Sequence, residues 1–327
     1  MPKVFLTGAT GFIGGRLVDY LLEAGYSVRV LVRDKNKISK HSWKDKVEII
    51  CGDILNPKSF EGKMHGCDVI IHSAALISFN NKIWDTVHEV NVNGTKNIVQ
   101  EALKANPKKF IHISSVAAVG ISEDGNPINE NHPYNFSKLN ICYMETKHLA
   151  EEEVKKGIEK GLNACFVNPA NVWGAGDYHG RRTLIIKLLK MGLPFYVNAA
   201  TNFVDVDAVC PAIINAIDKG KKGERYILGG ENLTIKEFLS IICDELKIKR
   251  PFICVPKFIV LSYAYFIDFL SEIFGFTPRP TLSQMSLIGP NVYYDSSKAI
   301  KELNMPIITI QDSIKKTVRF YRDNGLL

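Results

Sequence analysis

Between Val4 and Gly14 the chain reads Val-Phe-Leu-Thr-Gly-Ala-Thr-Gly-Phe-Ile-Gly, a short apolar run that ends in glycines at positions 8, 11 and 14. Leu17, Val18, Leu21 and Leu22 follow at helical spacing. Strand, glycine-rich turn and helix, in that order, constrain the fold more than any other stretch. Such a turn lets a diphosphate approach bare backbone at the positive end of a helix. A Cβ would block that approach, or the close packing of helix on strand. The expected ligand is a dinucleotide, cradled by Gly8, Thr10, Gly11, Phe12, Ile13 and Gly14.

Strand and helix patterns then alternate. Residues 27–32, 47–51, 68–72, 110–114 and 163–167 read as strands, and 83–105 and 141–160 as long helices. That rhythm predicts an α/β fold with a doubly wound parallel sheet, right-handed crossovers, and ligands at the carboxyl ends of the strands. After Pro169 glycine and proline become frequent and the strands short. The expected division is a dinucleotide-binding domain over 1–170, with return elements at about 203–228. A smaller, mostly C-terminal substrate-binding portion would cover 171–327.

Composition removes several classes. With 327 residues, 46% of them hydrophobic, the chain can bury a large core. The net charge of +7 is spread along the chain, and its densest basic stretch, 219–225, is broken by glycines. No nucleic-acid partner is expected. The seven cysteines include no C-x-x-C pair, and the eight histidines have no metal-ligand spacing. Reduced thiols, a cytoplasmic location and no metal are the expectations. The N-terminus enters a strand at once, so no signal peptide is expected. The apolar stretch 258–276 holds Asp268 and Glu272 between Pro256 and Pro278. A spanning helix needs about 20 apolar residues with few charges. The preferred reading is a buried or half-buried helix. A peripheral contact with a membrane, or a roof over a greasy substrate, is the alternative.

Candidate cofactor contacts sit after the strands. Val32 takes the place where an acidic residue would accept from a ribose 2′-hydroxyl, and Arg33 follows. A guanidinium there favours a 2′-phosphate, hence NADP over NAD, with Lys37 and Lys40 adding charge. Asp53, beside Ile54, is placed to accept from an adenine amino group. Ala74 and Ala75 leave room for the cofactor backbone. Asn91 is suited to holding neighbouring strand ends.

Two Tyr-x-x-x-Lys pairs occur, Tyr134/Lys138 and Tyr143/Lys147. The i, i+4 spacing puts both side chains on one face of a helix. Tyr134 follows Pro133 in a polar, loop-like stretch, whereas Tyr143 opens a clean helical pattern, so Tyr143/Lys147 is preferred. Hydride transfer to a carbonyl creates an alkoxide that needs a proton. A tyrosine with an ordinary pKa of about 10 supplies it best beside a cation. Lys147 provides that cation, and Ser115, with Ser114 as its competitor, would hold the substrate oxygen.

Together these residues resemble the extended branch of the short-chain dehydrogenase/reductase superfamily, the NAD-dependent epimerase/dehydratase family. The resemblance rests on Thr7–Gly14, Asp53, His72-Ser73-Ala74-Ala75, Asn91–Asn97, Ile113–Ala117, Tyr143–Glu151 and Asn168–Gly174. It implies a Rossmann sheet and catalytic roles for Ser115, Tyr143 and Lys147. It adds Pro169, matching a proline whose backbone lies by the nicotinamide, and Val172 as cofactor contacts. It also implies a homodimer. Val30–Asp34 is similar to dihydroflavonol reductase-like enzymes, and 223–234 both to these and to hopanoid-associated sugar epimerases. Two departures stand out. Asn168 lies where many members carry arginine, and no arginine near Met285 would grip a sugar diphosphate, leaving Arg181 or Arg182 as substitutes. The expected function is an NADP-dependent reductase of a fairly hydrophobic cyclic small molecule. A nucleotide-sugar epimerase or dehydratase with tightly held NAD is the alternative, and a non-enzymatic redox sensor a minor one.

Overall fold

Why the N-terminal strands read as nearly unbroken apolar runs is answered by what covers them. The computed structural model describes residues 1–122, 124–178, 180, 182–276, 281–289 and 291–327. The first half runs β1 (Lys3–Thr7), α1 (Phe12–Glu23), β2 (Ser27–Val32), β3 (Glu48–Cys51), β4 (Val69–His72), α2 (Trp84–His88), α3 (Gly94–Ala105), β5 (Lys109–Ile113), α4 (Cys142–Glu159) and β6 (Ala164–Pro169). The second half runs β7 (Asn171–Trp173), α5 (Thr183–Lys190), β8 (Phe195–Val197), β9 (Ala200–Asp205), α6 (Val206–Lys219), β10 (Arg225–Leu228), β11 (Glu231–Thr234), α7 (Ile235–Leu246), β12 (Ile253–Val255), α8 (Lys257–Phe274), α9 (Leu282–Ser286), β13 (Asn291–Val292), α10 (Ser297–Leu303) and α11 (Ile310–Asp323).

Among the described residues the main sheet has seven strands in the order β3-β2-β1-β4-β5-β6-β10. Every neighbouring pair is parallel. The doubly wound sheet expected from the alternating pattern is therefore present. Alternate residues of one strand serve opposite layers. Val4 and Leu6 join the core under α1 and α6, while Phe5 joins the core with Ile98, Phe110 and Phe166. Burial on both faces is what allows such a run to be continuously apolar.

The return elements complete this sheet. Asp205 caps α6 by accepting from the Asp207 amide at 2.6 Å. Arg16 of α1 and Lys316 of α11 then hold the Asp207 carboxylate at 2.9 and 3.0 Å. α6 is thereby fastened to α1, and β10 becomes the seventh strand beside β6. The remaining strands form two small sheets, β9 with β7, β11 and β13, and β8 with β12. Their core gathers Trp173, Phe203, Phe238, Ile314 and Tyr321.

Two expectations are corrected. The helix read at 83–105 is not uniform, because Glu89–Asn93 winds as a wider π turn between α2 and α3. The helix read at 258–276 is not buried. Only Ala264 and Ser271 of α8 are enclosed, and Phe258, Phe266 and Phe269 are 69%, 58% and 59% exposed. Among the described residues, no helix is long and apolar enough to cross a membrane.

Candidate active site

The turn after β1 has the shape a diphosphate requires. Gly8 has φ +78, and a Cβ there would lie 2.7 Å from the Ala74 amide nitrogen, a clash as well as a strained conformation. A Cβ on Gly14 would run into the Gly8 carbonyl. Gly11 caps the start of α1 without a side-chain hydrogen bond, and the first turn holds no acidic residue. The first amides of α1, which lack intrahelical partners, therefore face no acidic side chain of their own turn. The cradle fits a dinucleotide. Within it, Phe12 stacks under the Arg182 guanidinium at 4.6 Å, and Ile13 packs on the core.

Parallel strands bring the other predicted contacts to the same edge. Arg33 and Lys37 are exposed just past β2, and Asp53 and Ile54 follow β3. Ile54 is buried and packs against Gly94, and its carbonyl accepts from Asn97 at 2.9 Å. Ala74 and Ala75 follow β4, Ser115 follows β5, Pro169 ends β6, and Val172 lies buried on β7. The π turn explains Asn91. It swings that side chain inward, where Oδ1 accepts from the Leu76 amide at 2.7 Å and Nδ2 donates to Leu76 O and to Thr146 Oγ1. Asn91 thus ties the loop after β4 to α4.

A buried relay lies beneath that loop. Thr7 Oγ1 accepts from the Ser73 and Ala74 amides, each at 3.2 Å, and meets His72 Nδ1 at 2.7 Å. With its acceptor capacity used, the Thr7 hydroxyl donates to Nδ1, so His72 carries its proton on Nε2 toward Thr95 Oγ1 at 3.0 Å. Thr95 donates onward to Asn91 O at 2.6 Å. Burial, with the nearby Lys147 charge, lowers the His72 pKa to about 3, so the ring stays neutral.

Tyr143 and Lys147 share the inner face of α4. Burial raises the Tyr143 phenol, and the Ser115 hydroxyl, its hydrogen-bond partner, pulls the other way. Its ring sits in an apolar cluster with Phe79, Ile121, Phe136, Met144 and Leu287. Lys147 donates to Ile113 O at 3.0 Å. Burial lowers its pKa to about 8, against the opposing pull of Glu151. The rival tyrosine is committed elsewhere: Tyr134 stacks on His148 at 3.9 Å and donates to Glu145 at 3.0 Å. It lies outside α4, as its polar context indicates. Ser114 is buried with its hydroxyl unpartnered, whereas Ser115 faces Tyr143.

One network escaped the sequence reading. Glu151, one helical turn beyond Lys147, is fully buried and accepts from Asn168 Nδ2 at 2.8 Å and from the Arg225 guanidinium. The same Asn168 amide reaches Ser115 O at 2.8 Å. Arg225 comes from β10, so the seventh strand supplies a cation next to the position where Asn168 replaces the resemblance's arginine. The sequence signals touching this arrangement were the Glu151 end of the Tyr143–Glu151 match and the Asn168 departure. Arg182 is engaged with Asp177 at 3.2 Å and lies over the Phe12 and Trp173 rings. Arg181 lies outside the described residues.

A seven-stranded parallel sheet with this glycine turn and rim defines a class, and the chain belongs to the NAD dependent epimerase/dehydratase family, which it matches over residues 4–229. It is an NAD(P)-dependent enzyme of that family. A Synechocystis protein provisionally named dihydroflavonol 4-reductase is 32% identical, covering 98% of this chain and 95% of that protein. Sterol demethylase protein B of Methylococcus capsulatus is 30% identical over 98% of this chain and 99% of its own length. The crystal structure of gox2253 superposes with a TM-score of 0.85 at 31% identity, covering 100% of both chains.

Proposed function

We propose that the protein is an NADP-dependent reductase or dehydrogenase acting on the carbonyl or alcohol of a fairly hydrophobic cyclic substrate. The observation that carries this reading is the setting of Tyr143, with its phenol against Ser115 and its ring among apolar side chains. The similarity to a sterol-named relative points the same way.

A bound nicotinamide dinucleotide would exchange a hydride with the substrate carbon. In reduction, Tyr143 gives its hydroxyl proton to the developing alkoxide, and Ser115 Oγ donates a hydrogen bond to the same oxygen. Burial makes the phenol reluctant to ionise, so a neighbouring cation has to offset it. Lys147 is that cation, and with a pKa of about 8 it is largely protonated at neutral pH. The Asn91 and Thr7 hydrogen bonds hold the loop after β4 in place. Residues 171–327, apart from the return segment 203–228, make up the substrate-binding portion. A homodimer paired through the α4 face follows from the resemblance, and a monomer mass in light scattering would remove it.

Arg33 supports NADP. It projects from the end of β2, while the neighbouring Asp34 carboxylate is folded into its own turn, accepting from the Asn36 amide at 2.9 Å. Arg33→Ala is expected to weaken NADP binding about tenfold and leave NAD unchanged. Equal preference in both proteins would remove this assignment.

The main test is NADPH consumption against ring ketones, sterols and flavonoid-like compounds. Turnover supports the reductase. No consumption, together with stoichiometric NAD released from denatured protein, would transfer the site to the epimerase reading. That second reading needs an anchor for a sugar diphosphate, and Arg182 already serves Asp177.

A further inference from the structure

We propose that the exposed face of α8 docks on the surface of an anionic lipid bilayer, and that apolar substrate reaches Tyr143 from that side. The docking stands on the surface itself. The delivery rests on the reductase reading given above.

α8 is turned inside out relative to a helix that faces water. Phe258, Ile259, Tyr265, Phe266, Phe269 and Ile273 are 69%, 47%, 61%, 58%, 59% and 59% exposed. They fall on one broad side of an 18-residue helix, and that side carries no charge. The acidic residues of α8 line one edge of that side. Asp268 and Glu272 lie 3.7 and 3.8 Å from Lys82 on the body of the protein, and Lys82 also donates to Ser271 Oγ at 3.0 Å. The polar edge is spent on anchoring the helix, and the aromatic face is left outward. Since no described helix is suited to crossing a bilayer, a helix lying in the interfacial plane is the arrangement that covers such a face.

Charge selects the kind of bilayer. The connection after α7 carries exposed Lys247 and Lys249, exposed Lys257 opens α8, and Phe252 between them is 75% exposed. Arg250 is paired with Asp244 at 2.7 Å, and the three lysines outweigh the remaining carboxylate there, Glu245. Phenylalanine beside lysine is suited to the headgroup boundary, with rings inserted and ammonium groups on lipid phosphates. The net charge of +7 has the same sign.

The face is close to the chemistry. Lys82, which anchors α8, follows Asn81, whose side chain accepts from the Cys142 amide at 3.0 Å at the start of α4. Phe79 in the same segment has its ring 5.5 Å from that of Tyr143. α8 also packs against α9, and Leu287 just beyond α9 joins the Tyr143 cluster.

The test is flotation of the full chain with vesicles of phosphatidylcholine alone or phosphatidylcholine containing phosphatidylglycerol. The wild type should float with the mixed vesicles, and less at high salt. Phe266→Asp/Phe269→Asp should cut the bound fraction by about tenfold or more, while Phe266→Leu/Phe269→Leu should bind like wild type. Unchanged melting temperature and dinucleotide affinity would certify that the aspartate variant is folded. Wild type left unbound by both vesicles, or an aspartate variant floating as wild type does, would overturn the proposal. So would a dimer that the aspartates split in the absence of any flotation, since the face would then belong to a second copy. Turnover of a small water-soluble ketone without vesicles reads the reductase separately, so failure of one reading leaves the other visible.

Discussion

The sheet rim around Lys147 and the helix α8 are built from opposite bargains with water. At the rim, groups that prefer water are enclosed: Lys147, Glu151, Asn168 and His72 are all buried, and each is held by named partners. On α8, groups that avoid water are presented to it. Both are costly in isolation. A buried charge is retained where its partners are complete and it serves chemistry, and an apolar face of this size marks a surface meant to be covered. Polar side chains thus hold the proposed reacting centre in place, and apolar ones face outward.

Substitutions can break that contrast. The largest effect is expected for Tyr143→Phe, which keeps the ring in its apolar cluster and removes only the proposed proton donor. Turnover should fall by about 10²–10⁴-fold, with dinucleotide affinity little changed in a fluorescence titration. A loss of a few-fold would show that another group moves the proton.

Glu151→Gln comes next. It leaves Arg225 without its anion in a site where the Glu151 side chain is 0% and Arg225 17% exposed, at a cost on the order of 3 kcal/mol in chemical unfolding. Its diagnostic readout is the pH profile. In the proposed reduction the cationic form of Lys147 assists Tyr143, so reductive turnover should decline as pH rises through about 8. Glu151 raises that pKa, so its removal should move the alkaline limb to lower pH. Stability runs the other way. The Lys147 pKa is depressed from 10.5 to about 8 on folding, so the folded chain holds fewer protons across that interval. The Lys147 contribution to stability therefore increases with pH between those values. A limb that does not move would reduce Glu151 to a purely structural ion pair.

Gly8→Ala should cost about 1–3 kcal/mol through its left-handed backbone and its collision with Ala74, and should weaken dinucleotide binding. Calorimetry and titration together read this. The smallest effect is expected on the other side of the comparison. Phe269→Ser, at a position 59% exposed, should change stability by less than about 0.5 kcal/mol. A large loss there would mean that the α8 face is already covered within the protein.

Much of the rim was legible beforehand because its signals are local. The strand read at 27–32 is β2 to the residue, and the choice of Tyr143 over Tyr134 followed from helical periodicity within one segment. The strand read at 163–167 runs on to Pro169, since a strand end tolerates a residue without an amide hydrogen. The Glu151 to Arg225 pair was not legible. It joins residues 74 apart in the chain, and no periodicity announces a contact made only when β10 lies down beside β6. The proton position on His72 was hidden for the same reason, since Thr7 and Thr95 reach it from two other elements.

Period and glycine spacing are local signals, so the amino-acid order alone was enough for the doubly wound sheet, the glycine turn before α1 and the helix that carries Tyr143 and Lys147. Which surfaces end up enclosed is a property of the assembled chain. Apolar residues in 258–276 satisfy a core and an outward face equally well, and only packing, with Lys82 claiming the acidic edge, turned those rings toward the outside.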